Sequence, residues 1–186
     1  SRVKVALCGG STPIDTYNLL RQKKIQWHRV NIFLGDERWV GIDTKESNTY
    51  MLRNSLFVDK SEATKANFFP IVTTELISPE ESAKHYQACL IKHLYSEIPT
   101  LDLILLGLGD DGHTASLFPG SNALLVRDKL ITVGEGKGIK RITFTPLLLN
   151  AAKKIIFLVS GSSKKQALKR LIDPSESWER TPAKLV

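Results

Sequence analysis

The sequence predicts an open, mostly parallel α/β sheet with helices on both faces, and three observations predict it. Four segments, VKVALCGGSTP, VNIFLGDER, LDLILLGLGDDGH and KKIIFLVSGSSKKQALKRL, repeat one design: apolar strand, Gly- or Asp-rich turn, then polar residues or a helix. Their strands are apolar at nearly every residue rather than at alternate ones, as parallel strands buried on both faces are. Helical stretches fall between them, and strands alternating with helices build a doubly wound sheet.

Taken in order, VKVAL is the first strand and CGGS its turn. A helix follows over Pro13–Lys23, with Ser11 or Thr12 placed to cap it and Pro13 in its first turn. VNIFL is the second strand, ending in GDER. A longer helix spans Pro79–Glu97, where Ser78 and Glu81 have the spacing of a capping box. LDLILL is the third strand, and RITFT is a further one. The stretch GEGKGIKR between them is glycine-rich and basic and reads as a mobile loop. KKIIFLV and a helix over Lys164–Ile172 complete the series. In such sheets ligands bind beyond the carboxyl ends of the strands, so the four turns should gather on one rim.

Composition sets limits. The chain has 186 residues, 42% hydrophobic and 24% charged, enough for one domain over 1–186 with a sizeable core. No apolar run approaches the roughly 20 residues that span a bilayer, and no secretory leader is visible, so no membrane partner is expected. Cys8 and Cys89 each sit in an apolar pattern, read as reduced thiols of a cytoplasmic protein. The net charge is +7, but its basic residues are scattered in pairs without an aromatic-and-basic recognition motif. That disfavours nucleic acid and suits a small anionic ligand drawn into a positive cleft. The chain opens directly on a strand and closes on TPAKLV as if another strand should follow, so N-terminal and C-terminal elements are expected to be lacking.

Chemistry concentrates in the turns. In CGGSTP, Gly9 and Gly10 free backbone N–H groups, Ser11 and Thr12 add hydroxyls, and a helix start adds partial positive charge. This is either a phosphate cradle or a glycine turn with a cap; it is neither a Walker loop nor GxGxxG. In GDERWV, Asp36 could accept a bond from a sugar hydroxyl and Arg38 could clamp a phosphate in bidentate fashion. In GLGDDGH, a lone histidine is more often structural than catalytic, but Asp111 two residues from His113 can orient an imidazole for acid–base work. Gly112 completes that turn. Lys164 near a helix start is disfavoured by the dipole, which suggests a compensating anion, although a solvated lysine explains it nearly as well. Lys137, Lys140 and Arg141 add positive charge. No cysteine or second histidine lies near His113, so no metal is expected. Ser116 lacks a nucleophile-elbow setting.

Assembled in order, GGSTP, GDERWV, Ser47–Asn48, GLGDDGHTASLFPG, RITFTPLLLNAA, SGSSKKQAL and TPAKLV cover nearly the whole chain. On these segments the sequence resembles the glucosamine-6-phosphate isomerase/6-phosphogluconolactonase family, on its lactonase side. Glucosamine-6-phosphate deaminases share GGSTP but carry a glutamate five residues after the histidine, where this chain has Phe118, and a tyrosine where it has Arg38. The resemblance implies a Rossmann-like, three-layer α/β fold and hydrolysis of 6-phospho-D-glucono-1,5-lactone to 6-phosphogluconate in the oxidative pentose phosphate pathway. It implies no cofactor. His113 would act as base with Asp111 orienting it and Asp36 beside it. The phosphate would lie against Gly9, Gly10, Ser11, Thr12, Arg38, Gly112, Arg141, Lys164 and either Lys137 or Lys140. The alternatives are a deaminase-like enzyme and a non-catalytic sugar-phosphate-binding domain. Some relatives are fused to glucose-6-phosphate dehydrogenase, which makes a fused or docked dehydrogenase an expected partner.

Overall fold

The computed structural model describes residues 2–94 and 99–186. Its centre is a five-stranded, wholly parallel sheet in the order β4-β2-β1-β5-β8, made of Asn67–Phe69, Val30–Leu34, Val3–Leu7, Leu103–Gly107 and Ile155–Leu158. These include the four strands expected from the apolar runs. Ile32, Phe33, Leu34, Ile104 and Leu106 are buried, so the inner strands β2 and β5 meet apolar neighbours on both faces, which accounts for their unbroken hydrophobicity. β8 is an edge strand and is only partly covered; Ile156 on it is exposed.

A second sheet of three antiparallel strands, Asp36–Arg38 (β3), Ile139–Phe144 (β7) and Ile131–Gly136 (β6) in that order, corrects two expectations. GDER does not simply turn: Asp36–Arg38 forms β3, paired with β7, Ile139–Phe144. GEGKGIKR is not a mobile loop. It is the closed end of a hairpin between β6, Ile131–Gly136, and β7, joined by Lys137 and Gly138 at φ 56° and 77°. Positive φ at both central residues is the backbone that matches strand twist in a two-residue hairpin, so glycines that read as loop are turn and strand. Gly35 joins the sheets: its N–H donates to Leu7 O on β1 at 3.0 Å and its carbonyl accepts from Phe144 N on β7 at 2.9 Å.

The helices depart from expectation at their ends. α1 runs Ile14–Leu20 and takes no side-chain cap; Pro13 occupies the cap position, and neither Ser11 nor Thr12 caps it. Past Arg21, whose N–H still donates to Tyr17 O at 3.0 Å, the chain tightens to i→i+3 turns, Gln22 N to Leu19 O and Lys23 N to Leu20 O. α2, Asn48–Ser55, is an addition to the sequence reading, capped by Ser47 Oγ accepting from Tyr50 N at 3.2 Å. α3 is Pro79–Leu94, and the expected end at residue 97 lies outside the described residues. Half its capping box forms: Glu81 N donates to Ser78 Oγ at 3.1 Å, while the Glu81 carboxylate turns to Lys84 at 2.9 Å. A short α4, Pro146–Asn150, follows β7, and α5 starts at Lys165 after a 3-10 turn over Ser162–Lys164.

Tyr86 of α3 ties helix to sheet. Fully buried, its hydroxyl accepts from Leu34 N at 2.8 Å and donates to Leu34 O at 3.0 Å, completing the last backbone groups of β2. Tyr86→Phe leaves both groups buried and unpaired. It should destabilise the protein by about 1–3 kcal/mol, read from urea unfolding midpoints; an unchanged midpoint would show that Leu34 finds other partners.

Candidate active site

The carboxyl ends of β1, β2, β5 and β8 converge on one cleft of about 200 Å³, as the switch-point rule requires. Gly9, Gly10, Ser11 and Thr12 form one wall, Asp36 and Arg38 a second, and His113, Arg141 and Lys164 close it. A larger hollow, about 1190 Å³, opens at the amino ends of the strands around Lys4, Asn31 and Phe69. Its Lys153 is already paired with Asp102 at 2.7 Å, and it holds none of the turn residues that carry chemistry.

His113 is held by its own loop. Its backbone N–H donates to Asp111 Oδ1 at 3.0 Å, and its Nδ1 lies 2.6 Å from the same oxygen. A carboxylate only accepts, so in the neutral ring the proton sits on Nδ1 and Nε2 carries the lone pair. Partial burial alone would raise the Asp111 carboxyl. The side-chain and backbone hydrogen bonds from His113 outweigh it and bring the pKa from 3.8 to about 2. Gly109 is required here, since a Cβ would lie 2.0 Å from His113 Nδ1. Gly112 turns the loop at φ +90° with Thr181 Cα 3.0 Å from where a Cβ would be; it supports the turn and does not line the cleft.

Asp36 is a different kind of carboxylate. It is buried, with Oδ2 accepting from Ser116 Oγ at 2.5 Å and Oδ1 from Asn48 Nδ2 at 3.3 Å. Ser116, which sequence excluded as a nucleophile, spends its hydroxyl on Asp36. Asn48 lines the cleft beside it, and a Cβ on Gly9 would lie 1.9 Å from Asn48 Oδ1. The only sequence signal for Asn48 was its place in the Ser47–Asn48 pair.

The two arginines oppose one another. In the β3/β7 ladder Asp36 faces Thr143 and Arg38 faces Arg141, and residues two apart share a face. Like charges directly opposite are unfavourable. Burial lowers the Arg141 guanidinium pKa, and Arg38 lowers it further, against the pull of Asp36 and Glu37. Arg38 Nη1 donates to Glu46 O at 2.6 Å, but its Nε is buried without a partner among the described residues. Two cations brought together with donors to spare form a ready seat for an anion.

Lys164 reaches the cleft, but the compensating anion inferred from its position is Asp110, 2.6 Å away. Lys137 does not reach it. The hairpin puts Lys137 at its tip, on a separate groove with Gly120 and Ser121, and Lys140 pairs with Glu135 at 2.6 Å. Among the described residues no cluster of His, Cys, Asp or Glu could hold a metal ion.

Fold and cleft together define an α/β protein that gathers cationic side chains at the strand ends beside a carboxylate-oriented imidazole. The chain belongs to the glucosamine-6-phosphate isomerases/6-phosphogluconolactonase family, whose profile matches residues 1–186. It is 42% identical over 185 residues to a 6-phosphogluconolactonase of Synechocystis, covering 98% of this chain and 76% of that protein. A 6-phosphogluconolactonase of Nostoc is 41% identical, covering 100% of this chain and 78% of the relative. The crystal structure of a 6-phosphogluconolactonase from Shewanella baltica superposes with a TM-score of 0.87 at 29% identity, covering 99% of this chain and 78% of that one.

The depressed Asp111 pKa has a consequence for stability. A lowered carboxyl contributes stability that is complete above its ordinary 3.8 and is lost as pH falls through about 2. With 44% of the side chain exposed the amplitude is small. Asp111→Asn should flatten the decline of the melting temperature between pH 4 and 2; an unaltered slope would remove the His113–Asp111 bond from the account.

Proposed function

We propose that this protein hydrolyses 6-phospho-D-glucono-1,5-lactone to 6-phosphogluconate, the lactone-opening step of the oxidative pentose phosphate pathway. The observation that carries the reading is the oriented imidazole of His113 on the same cleft as Arg38, Arg141 and Lys164. A lactone carbonyl is already electrophilic, so the chemistry asks for a base, not a covalent nucleophile or a cofactor. His113 Nε2 takes a proton from water as the oxygen attacks C1, and the imidazolium returns it to the ring oxygen as the ester opens. Asp111 keeps the ring in the productive tautomer. Asp36, fixed by Ser116 and Asn48, accepts from a sugar hydroxyl, and backbone N–H groups of the glycine turn at Gly9–Thr12 meet the remaining oxygens. The arginines and Lys164 hold the phosphate and thereby the distance of C1 from the base.

Phe118 argues against the deaminase alternative, since a ring stacks on His113 where that chemistry would place a carboxylate. The enzyme would work in the cytoplasm, where its unpaired Cys8 and Cys89 stay reduced. Among the described residues no helix is long and apolar enough to cross a membrane. A glucose-6-phosphate dehydrogenase, fused or docked, would supply the lactone, and the positive charge serves this small anion rather than nucleic acid.

Freshly made lactone, with acid release followed above the spontaneous rate, tests the proposal, and glucosamine 6-phosphate assayed for ammonia tests the alternative. His113→Ala should lower kcat by about 10²–10⁴-fold with KM nearly unchanged; undiminished turnover places the base elsewhere. Arg38→Ala should instead raise KM for the phosphorylated lactone while leaving the phosphate-free lactone unaffected. Equal losses on both substrates would remove Arg38 from the phosphate.

A further inference from the structure

Phe118 touches both halves of the cleft without belonging to either. Its ring stacks on the His113 imidazole with centroids 4.2 Å apart and planes at 29°, and the Arg141 guanidinium carbon lies 5.1 Å from its centroid. The base of the proposed reaction and one of its anion-binding cations thus lean on one aromatic ring, and aromatic faces attract both guanidinium and imidazolium.

The ring has little freedom to move. Phe118 is buried, and β6 comes up against it at Gly136, where a Cβ would lie 2.2 Å from Phe118 Cε2. Two residues along the same strand, a Cβ on Gly134 would meet Ser116 O at 2.8 Å. Gly134 faces Arg141 across the hairpin, so both glycines lie on the hairpin face that carries Arg141. The loop is pinned elsewhere too. Thr114 Oγ1 donates to Gly107 O at 2.8 Å, Leu117 N to Thr114 O at 2.9 Å, and Ser121 N to Phe118 O at 3.0 Å. Ala115 accepts a left-handed φ of 48° within this turn.

We infer that Phe118 is a positioning residue whose ring sets the spacing between the imidazole of His113 and the guanidinium of Arg141. This rests on the lactonase reading for its effect on turnover, but not for its effect on anion binding. Hydrophobic bulk alone does not meet the requirement: a flat face at fixed height does, since both partners rest on the ring through their own π systems or charge.

The test is Phe118→Leu, which keeps an apolar side chain and removes the face. Lactone turnover and the binding of inorganic phosphate are measured separately, in the wild type and in an Arg141→Ala background. We expect kcat to fall about tenfold and phosphate affinity to weaken between about two- and thirty-fold, with the phosphate effect absent once Arg141 is gone. Unchanged kcat and affinity in a folded variant overturn the inference, as does equal weakening in both backgrounds, which would make the ring mere packing. Should Phe118→Leu not fold, Phe118→Met, unbranched and adaptable in irregular gaps, carries the same expectations. Failure of both to fold assigns the ring to the core and overturns the inference. A wild type that opens no lactone defeats the lactonase reading alone, because the phosphate measurement needs no turnover.

Discussion

The cleft depends on a carboxylate that never faces it. Glu37 is fully buried between Asp36 and Arg38, and its oxygens accept from the backbone N–H groups of Arg38, Asn48 and Thr49 at 2.7–2.8 Å and from Ser47 Oγ at 3.0 Å. Burial pushes its carboxyl up, and those donors pull the other way without fully cancelling it. A charge at this depth is tolerable only when each lone pair is met. Two of those four donors, Asn48 N and Thr49 N, are the first N–H groups of α2, which have no partner within their own helix. One side chain therefore anchors a helix start to the end of a strand.

That anchoring explains why Asp36 and Arg38 present themselves together. Alternate residues of a strand point to opposite faces, so turning Glu37 toward α2 turns its two neighbours toward the cleft. The same helix start delivers Asn48, whose amide nitrogen donates to both the carbonyl and the carboxylate of Asp36, at 2.9 and 3.3 Å. Asp36 is thereby fixed from two directions, by Asn48 and by Ser116, while Asp111 alone serves the imidazole. The two aspartates differ in partner: one is spent on a ring, the other on a hydroxyl and an amide.

Much of this was legible in the sequence, and the part that was not has a common cause. Parallel strands announce themselves because both faces are buried, and the turns that follow them carry Gly9, His113 and Lys164 to one rim by topology alone. α2 gave no such signal: NTYMLRNS is largely polar, and its N-terminal anchor comes from Glu37 on β3, eleven residues upstream of Asn48. The β6–β7 hairpin was misread because its glycines and lysine have loop composition, whereas their arrangement answers to Phe118 and to the turn at Lys137. The same turn sets Lys137 on a separate groove and not on the cleft. Lys164 lines the cleft, and the anion that answers it is intramolecular. Local pattern encodes burial and topology well; it does not encode partners brought in from another element.

The glycines make the point most sharply. In the sequence they look like flexibility, and Gly10, Gly112, Gly120, Gly138 and Gly161 do sit at positive φ. Three others are sockets. Gly9 leaves room for the Asn48 amide, Gly109 for the His113 ring and Gly136 for the Phe118 ring, each with a side-chain atom about 2 Å from where a methyl would stand. A socket has the opposite mechanical consequence from a hinge. It lets a side chain rest against backbone, where neither can yield, and it lowers the number of rotamers that side chain can occupy. The cleft gains its order from atoms that are missing, and an imidazole is held in a fixed place better by that than by loops able to adjust.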